Sequence, residues 1–158
     1  MTVIACRSGI IAADSRETWE SEAGGISFQS CQKLFRKRIG RRDVIIGTAG
    51  GTYLGMVFVD WWGSSSTDKQ PPEILRDAHL EEDFEVLLVD RGKMYTANHL
   101  CRPVEVQGHF IAIGCGRKAA MAAMLMGASA IRACEIACKV DPFCAPPIVH
   151  MTVKTRTP

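Results

Sequence analysis

Val3–Cys6 and Ile10–Ala13 are short apolar runs parted only by Arg7-Ser8-Gly9. Runs this short with a tight turn between them predict a β-hairpin, because a helix needs roughly ten or more residues to bury one face. The same grammar recurs. Ile26, Phe28 and Ser30 alternate with Ser27, Gln29 and Cys31, which predicts a third strand running on into Lys33-Leu34-Phe35. Val44–Gly47 reads as a strand buried on both faces. Phe84–Val89 and Lys93–Ala97 flank Asp90-Arg91-Gly92 as another hairpin, and Val104–Val106, Phe110–Ile113 and Ile148–Lys154 add three more short strands.

Helices fall between these runs. Thr52–Trp62 reads as one, and a second opens at Pro71 or Pro72 and runs to His79. Arg117–Met126 is a third, stopped by Gly127. Ser129 is a suitable N-cap for a fourth through Lys139. Ser15–Gly25, Arg36–Arg42 and Gly63–Ser66 read as a polar connection, a charged turn and a loop. Most neighbouring strands are joined by turns too short for a crossover, so the sheets are expected to be antiparallel. The expected fold is α+β, a four-layer αββα sandwich with two antiparallel sheets face to face and helices outside. One domain is expected over residues 1–158.

Bulk properties narrow the function. A net charge of +2 is too small to argue for nucleic acid or an anionic membrane, and neither is expected as a partner. The N-terminus shows no basic segment followed by an apolar one, and the longest apolar stretches are far short of a membrane span. The seven cysteines are odd in number and lie mostly in apolar patterns, which predicts reduced thiols in the cytoplasm rather than a disulfide framework.

The chemistry starts at Thr2. Once Met1 is removed, as a small second residue permits, Thr2 carries a hydroxyl nucleophile and a free α-amine on one residue. An α-amine titrates at about 7.7–8.0 and serves as a base near neutral pH. Asp14 ends the strand that returns beside Thr2; by itself it reads as a turn or helix cap. Lys33 ends the third strand, where a lone lysine is ordinarily solvated. Placed beside Thr2, its ammonium would favour the ionised hydroxyl, and Asp14 would hold it charged. Gly47-Thr48-Ala49-Gly50-Gly51 is a strand-to-helix turn: a plain tight turn, or a backbone cradle for an oxyanion.

In register, these motifs resemble a known family. Thr2-Val3-Ile4-Ala5, Gly9–Arg16, Gln32-Lys33-Leu34, Ile46–Gly51 and Phe110–Gly116 followed by an alanine-rich helix are similar to β-type subunits of the proteasome. These belong to the N-terminal-nucleophile hydrolase superfamily. The likeness extends to bacterial homologues, including the peptidase subunit of the two-component heat-shock protease, and covers nearly the whole chain.

The resemblance implies Thr2 as nucleophile, Lys33 tuning it and Asp14 orienting Lys33. It implies the Gly50 N–H as oxyanion donor, Thr48 and Ala49 lining the main specificity pocket, and Asp141 supporting the amine. It further implies polypeptide substrates, no cofactor, a homo-oligomeric ring of six or seven members per layer and an ATP-driven unfoldase partner. Two residues depart from the family, which commonly has serine at Cys115 and serine or threonine at Cys144. A thiol is a weak donor and acceptor, so the amine is expected to be less firmly oriented. The alternatives are a weakly active or inactive assembly subunit and a small-amide hydrolase of the same superfamily.

Other features have plainer readings. Cys134 and Cys138, with Cys144 beyond, read as buried apolar thiols and not as a metal site. The basic run Arg36–Arg42 reads as a solvated loop or subunit contact. Trp61-Trp62 reads as core packing or a subunit edge, and Met121, Met124 and Met126 as core or helix contact. His79, His99, His109 and His150 have no motif around them.

Overall fold

The computed structural model describes residues 1–20, 24–64, 70–77, 84–98 and 101–153. Residues 21–23 of the polar connection, Ser65, Ser66, His79, His99 and Lys154 lie outside the described residues.

Strands β1 (Ile4–Arg7) and β2 (Ile10–Ala13) form the expected hairpin. With β10 (Phe110–Ile113) and β11 (Val149–Thr152) they make a four-stranded sheet in the order β10-β1-β2-β11. A five-stranded sheet runs β5 (Leu34–Ile39), β6 (Arg42–Gly50), β7 (Phe84–Asp90), β8 (Lys93–Ala97) and β9 (Val104–Glu105). Strands β3 (Arg16–Glu20) and β4 (Ile26–Ser30) pair separately. Every pairing within these sheets is antiparallel. The helices are α1 (Thr52–Ser64), α2 (Glu73–Asp77), α3 (Arg117–Leu125) and α4 (Ala130–Val140), so the class is α+β.

Side chains alternate across a strand, and that period of two sorts the apolar residues into three clusters. Val3, Ala5, Ala12 and Ala112 pack with Ala120, Met124, Ala133 and Cys134 of α3 and α4. Their neighbours Ile4, Cys6, Ile11 and Ala13 point the other way, onto Leu34, Ile45, Leu87 and Val89 of the five-stranded sheet. Val44, Ile46, Val86 and Leu88 leave that sheet's far face to meet Leu54, Phe58 and Val59 of α1 and Leu75 of α2. Small residues let α4 approach β1 and β2 closely, which is why alanines dominate the first cluster. Gly47 sits where the sheets meet; a Cβ there would lie 3.1 Å from Ile4 Cγ2.

Several expectations are corrected. Arg16–Glu20 is a strand, not a connection; its pairing to Ile26–Ser30 is set by the backbone ladder, with polar side chains on both faces. Leu34 opens a new strand instead of extending β4. Arg36–Ile39 belongs to β5, and only Gly40 and Arg41 turn. Three cations of this run pair within the fold, Arg36 with Asp43 at 2.7 Å, Lys37 with Asp60 at 3.3 Å and Arg42 with Asp90 at 3.0 Å. Met126 lies past the end of α3 and is 89% exposed, so it is not core. Ser129 caps α4 as expected, accepting from Arg132 N at 3.2 Å. Trp61 and Trp62 both pack on Phe58, with ring centroids 5.6 and 5.7 Å away.

Candidate active site

Thr2 stands just ahead of β1 and is buried. Two backbone contacts fix it. Its carbonyl accepts from Gly116 N at 3.2 Å, and the next residue, Val3, donates its N–H to Asp14 Oδ1 at 2.9 Å. The turn Gly114-Cys115-Gly116 wraps this carbonyl so tightly that a Cβ on Gly114 would lie 2.2 Å from it; Gly114 also has φ +84°, so only glycine fits. Glu85 anchors the turn from β7, accepting from Gly114 N at 3.0 Å and from Arg117 at 2.7 Å.

Asp14 and Lys33 meet behind Thr2. Lys33 Nζ lies 2.8 Å from Asp14 Oδ1, and both side chains are buried. A buried carboxylate must fill its acceptor sites, and Asp14 does so. Oδ1 takes Val3 N and Lys33 Nζ; Oδ2 takes Arg16 N at 3.1 Å and Ala145 N at 3.2 Å. Lys33 is likewise saturated, donating to Asp14, to the Arg16 carbonyl at 2.5 Å and to the Met1 carbonyl at 3.1 Å. The Thr2 hydroxyl donates to that same Met1 carbonyl at 2.6 Å. Hydroxyl and ammonium therefore converge on one oxygen.

The nitrogen of Thr2 faces a different group. It donates to Cys115 Sγ at 3.2 Å, and Cys115 Sγ in turn lies 3.7 Å from Cys144 Sγ. The contact with the Cys144 thiol holds Cys115 below the usual thiol range. The same contact, with burial, pushes Cys144 up. Asp141 caps the end of α4 and accepts from Phe143 N at 2.9 Å; its carboxylate lies within 4.8 Å of both sulfurs.

These groups open onto a cleft of about 1100 Å³. Thr2, Lys33, Thr48, Ala49, Gly50 and Cys115 line it, whereas Asp14, Asp141 and Cys144 stand behind its wall. Gly50 ends β6 with φ +97°, just before α1 begins. Thr48 lies against α1, where a Cβ on Gly55 would clash with its side chain at 2.8 Å; Ala49 turns into the apolar contact between the sheets. The far wall comes from β3 and β4 and contains Glu17, which the Thr52 hydroxyl holds below the usual carboxylate range.

The structure thus brings Thr2, Asp14, Lys33 and Cys115 into one contact chain, with Cys144 and Asp141 behind Cys115. Sequence reasoning missed Arg16, whose carbonyl and N–H bracket the Lys33–Asp14 pair, and Glu85, which anchors the glycine turn. Backbone acceptors carry no residue signature, and Glu85 is one of many strand carboxylates.

No protein-family model and no curated protein sequence matches the chain. Solved structures do. It is similar to eukaryotic HslV from Trypanosoma brucei at 15% identity, over 95% of this chain and 97% of that one, with a TM-score of 0.62. Anbu, an ancestral β-subunit from Yersinia bercovieri, matches at 14% identity over 97% of this chain and 82% of its own, with a TM-score of 0.74. BPH from Thiobacillus denitrificans, in complex with epoxomicin, matches at 17% identity over 99% of both chains, with a TM-score of 0.66. The likeness is one of fold: the chain has the fold of the proteasome-like N-terminal-nucleophile hydrolases.

Proposed function

We propose that this protein is a threonine-type peptidase that cleaves peptide bonds with Thr2 after Met1 is lost. The observation that carries this reading is the convergence of Thr2 Oγ1 and Lys33 Nζ on one oxygen, 2.6 and 3.1 Å away. While Met1 is attached the Thr2 nitrogen is an amide without basicity; its loss frees an α-amine at the same place.

The reaction follows from that placement. The Thr2 hydroxyl attacks the scissile carbonyl and its proton passes to the α-amine, directly or through a water. Lys33 favours the developing alkoxide, and Asp14 keeps Lys33 in position. The Gly50 N–H receives the oxyanion, a contact worth about 3 kcal/mol of barrier in other enzymes. The amine returns its proton to the leaving nitrogen, leaving an ester on Thr2. Water, deprotonated by the same amine, then releases the acid. Thr48 and Ala49 line the floor of the specificity pocket; Ala49 turns its methyl into the core between the sheets, which leaves the pocket roomy at that position. Cys115, Cys144 and Asp141 orient the amine.

The wider reading is one domain over residues 1–158, layered αββα. The three apolar clusters support that layering, since each joins a different pair of neighbours. We further propose a cytoplasmic homo-oligomeric ring that encloses the sites and takes polypeptides from an ATP-driven unfoldase. No helix among the described residues is long and apolar enough to cross a membrane.

Turnover of short fluorogenic peptides, compared with small acylated amines, tests the reading. Peptide turnover that vanishes in Thr2→Ala is expected. Turnover confined to the amines makes the protein a small-amide hydrolase. The thiol at 3.2 Å from Thr2 N, in place of a hydroxyl, favours a second reading as an assembly subunit. An intact mass that retains Met1 in native protein, with no turnover of either class, marks that outcome.

A further inference from the structure

We propose that Cys115, Cys144 and Asp141 form a site for a soft divalent metal such as Zn²⁺, completed by the α-amine of Thr2, and that loading it switches the hydrolase off. The three side-chain ligand atoms all lie within 4.8 Å of one another. The sulfurs are 3.7 Å apart. A tetrahedral zinc with bonds of about 2.3 Å to sulfur places two thiolates roughly 3.8 Å apart, so these sulfurs already stand at a coordination edge. The Thr2 nitrogen lies 3.2 Å from Cys115 Sγ, near enough to share an ion with it, and is the proposed fourth ligand.

The ligands come from three separate parts of the chain, and each is held. Cys115 lies in the glycine turn before α3. A Cβ on Gly116 would lie 3.0 Å from Cys144 Sγ, so that sulfur is packed against the turn. Asp141 and Cys144 are joined through Cys144 N to the Asp141 carbonyl at 3.2 Å. Cys115 lines the cleft, which gives an ion a path in. The donor set of two sulfurs, one nitrogen and one carboxylate suits a soft or borderline ion and discriminates against Mg²⁺ and Ca²⁺. Binding releases two thiol protons to solvent and forms two metal–sulfur bonds. The amine lone pair forms the third bond and no longer accepts the Thr2 hydroxyl proton. The switch rests on the peptidase reading; the site itself does not.

The test uses the full chain lacking Met1, verified by mass, under reducing conditions, with Co²⁺ as the probe and Zn²⁺ to displace it. One Co²⁺ per chain is expected, with thiolate-to-cobalt charge-transfer absorption and the intense visible bands of a tetrahedral ion. Cys115→Ser and Cys144→Ser should each weaken binding by at least about tenfold. A Cys134→Ser, Cys138→Ser double variant should bind as the parent does. Cys115 is exposed, so its variant carries the test if Cys144→Ser fails to fold. A chain that keeps Met1 should bind Co²⁺ more weakly, and equal affinity would remove the amine from the site. No charge-transfer band, or one unchanged in Cys115→Ser, overturns the site. In active protein, one equivalent of Zn²⁺ should abolish turnover, and Cys115→Ser should keep its own metal-free rate. Full turnover with zinc bound overturns the switch. A site that loads in a protein that hydrolyses nothing refutes the peptidase reading and leaves the site standing.

Discussion

Lys33 Nζ lies 2.8 Å from Asp14 Oδ1 with both side chains almost wholly buried, and the remaining contacts of both groups are to backbone. Neither charge can be left alone there. Removing one partner of a buried pair typically costs about 3–5 kcal/mol. Asp14→Ala should therefore destabilise the fold by about that much, read as a shift in the midpoint of chemical denaturation. A loss below about 1 kcal/mol would mean that water reaches the pair.

Lys33→Ala removes the cation beside the Thr2 hydroxyl as well as Asp14's partner. Turnover should fall sharply. A change under about threefold, less than 1 kcal/mol of barrier, would make Lys33 structural only. The double variant Lys33→Ala, Asp14→Ala should recover stability relative to Asp14→Ala, because no buried charge is stranded, but should recover no activity.

Gly114→Ala tests the turn around Thr2. The added Cβ would sit 2.2 Å from the Thr2 carbonyl, and the residue has φ +84°. Both effects oppose the native backbone, so stability should drop by more than about 1 kcal/mol and turnover should collapse. Gly9→Ala is the control. Its φ of +75° carries the same conformational cost, but nothing lies within 4 Å of the new Cβ, so turnover should survive.

The fold was legible wherever burial was two-sided or alternating. Val3, Ile4, Ala5 and Cys6 announce β1, because each has a core on its own side. Arg16–Glu20 was not legible: Arg16, Glu17 and Glu20 are charged, and the strand exists through its ladder to β4. Arg36–Ile39 misled for the same reason, since charge obscures an alternation of half-buried and exposed positions. At the site, the local pattern marked Thr2 alone; Lys33 reads locally as a solvated edge lysine and the glycine run as a plain turn, and their site roles came from several motifs standing in register. No spacing rule joins Cys115 to Cys144 and Asp141, because α3 and α4 intervene; only the family resemblance placed all three near the Thr2 amine, and their mutual contact appears in the fold.

Cys115 gives the pH-dependent prediction. Its ionisation is shifted down by the Cys144 thiol, so its thiolate persists to lower pH than a free cysteine's. Alkylation should mark Cys115 first, at a pH where an ordinary thiol is still protonated. Burial raises Cys6 and Cys134 to about 12, so both should resist until unfolding. Equal labelling of all three in folded protein would contradict this ordering.

Cys115→Ser replaces a weak acceptor by a stronger one opposite the Thr2 nitrogen. Peptide turnover should hold or rise. A steep loss would assign the thiol a catalytic part of its own.

The most direct measurement treats the Met1-free protein with a peptide epoxyketone, whose stable adduct needs both a hydroxyl and an amine on one residue. Mass mapping should find one adduct per chain on the peptide that begins at Thr2, and none in Thr2→Ala. Folded, Met1-free protein that forms no adduct, or forms one that survives Thr2→Ala, would contradict Thr2 as the nucleophile.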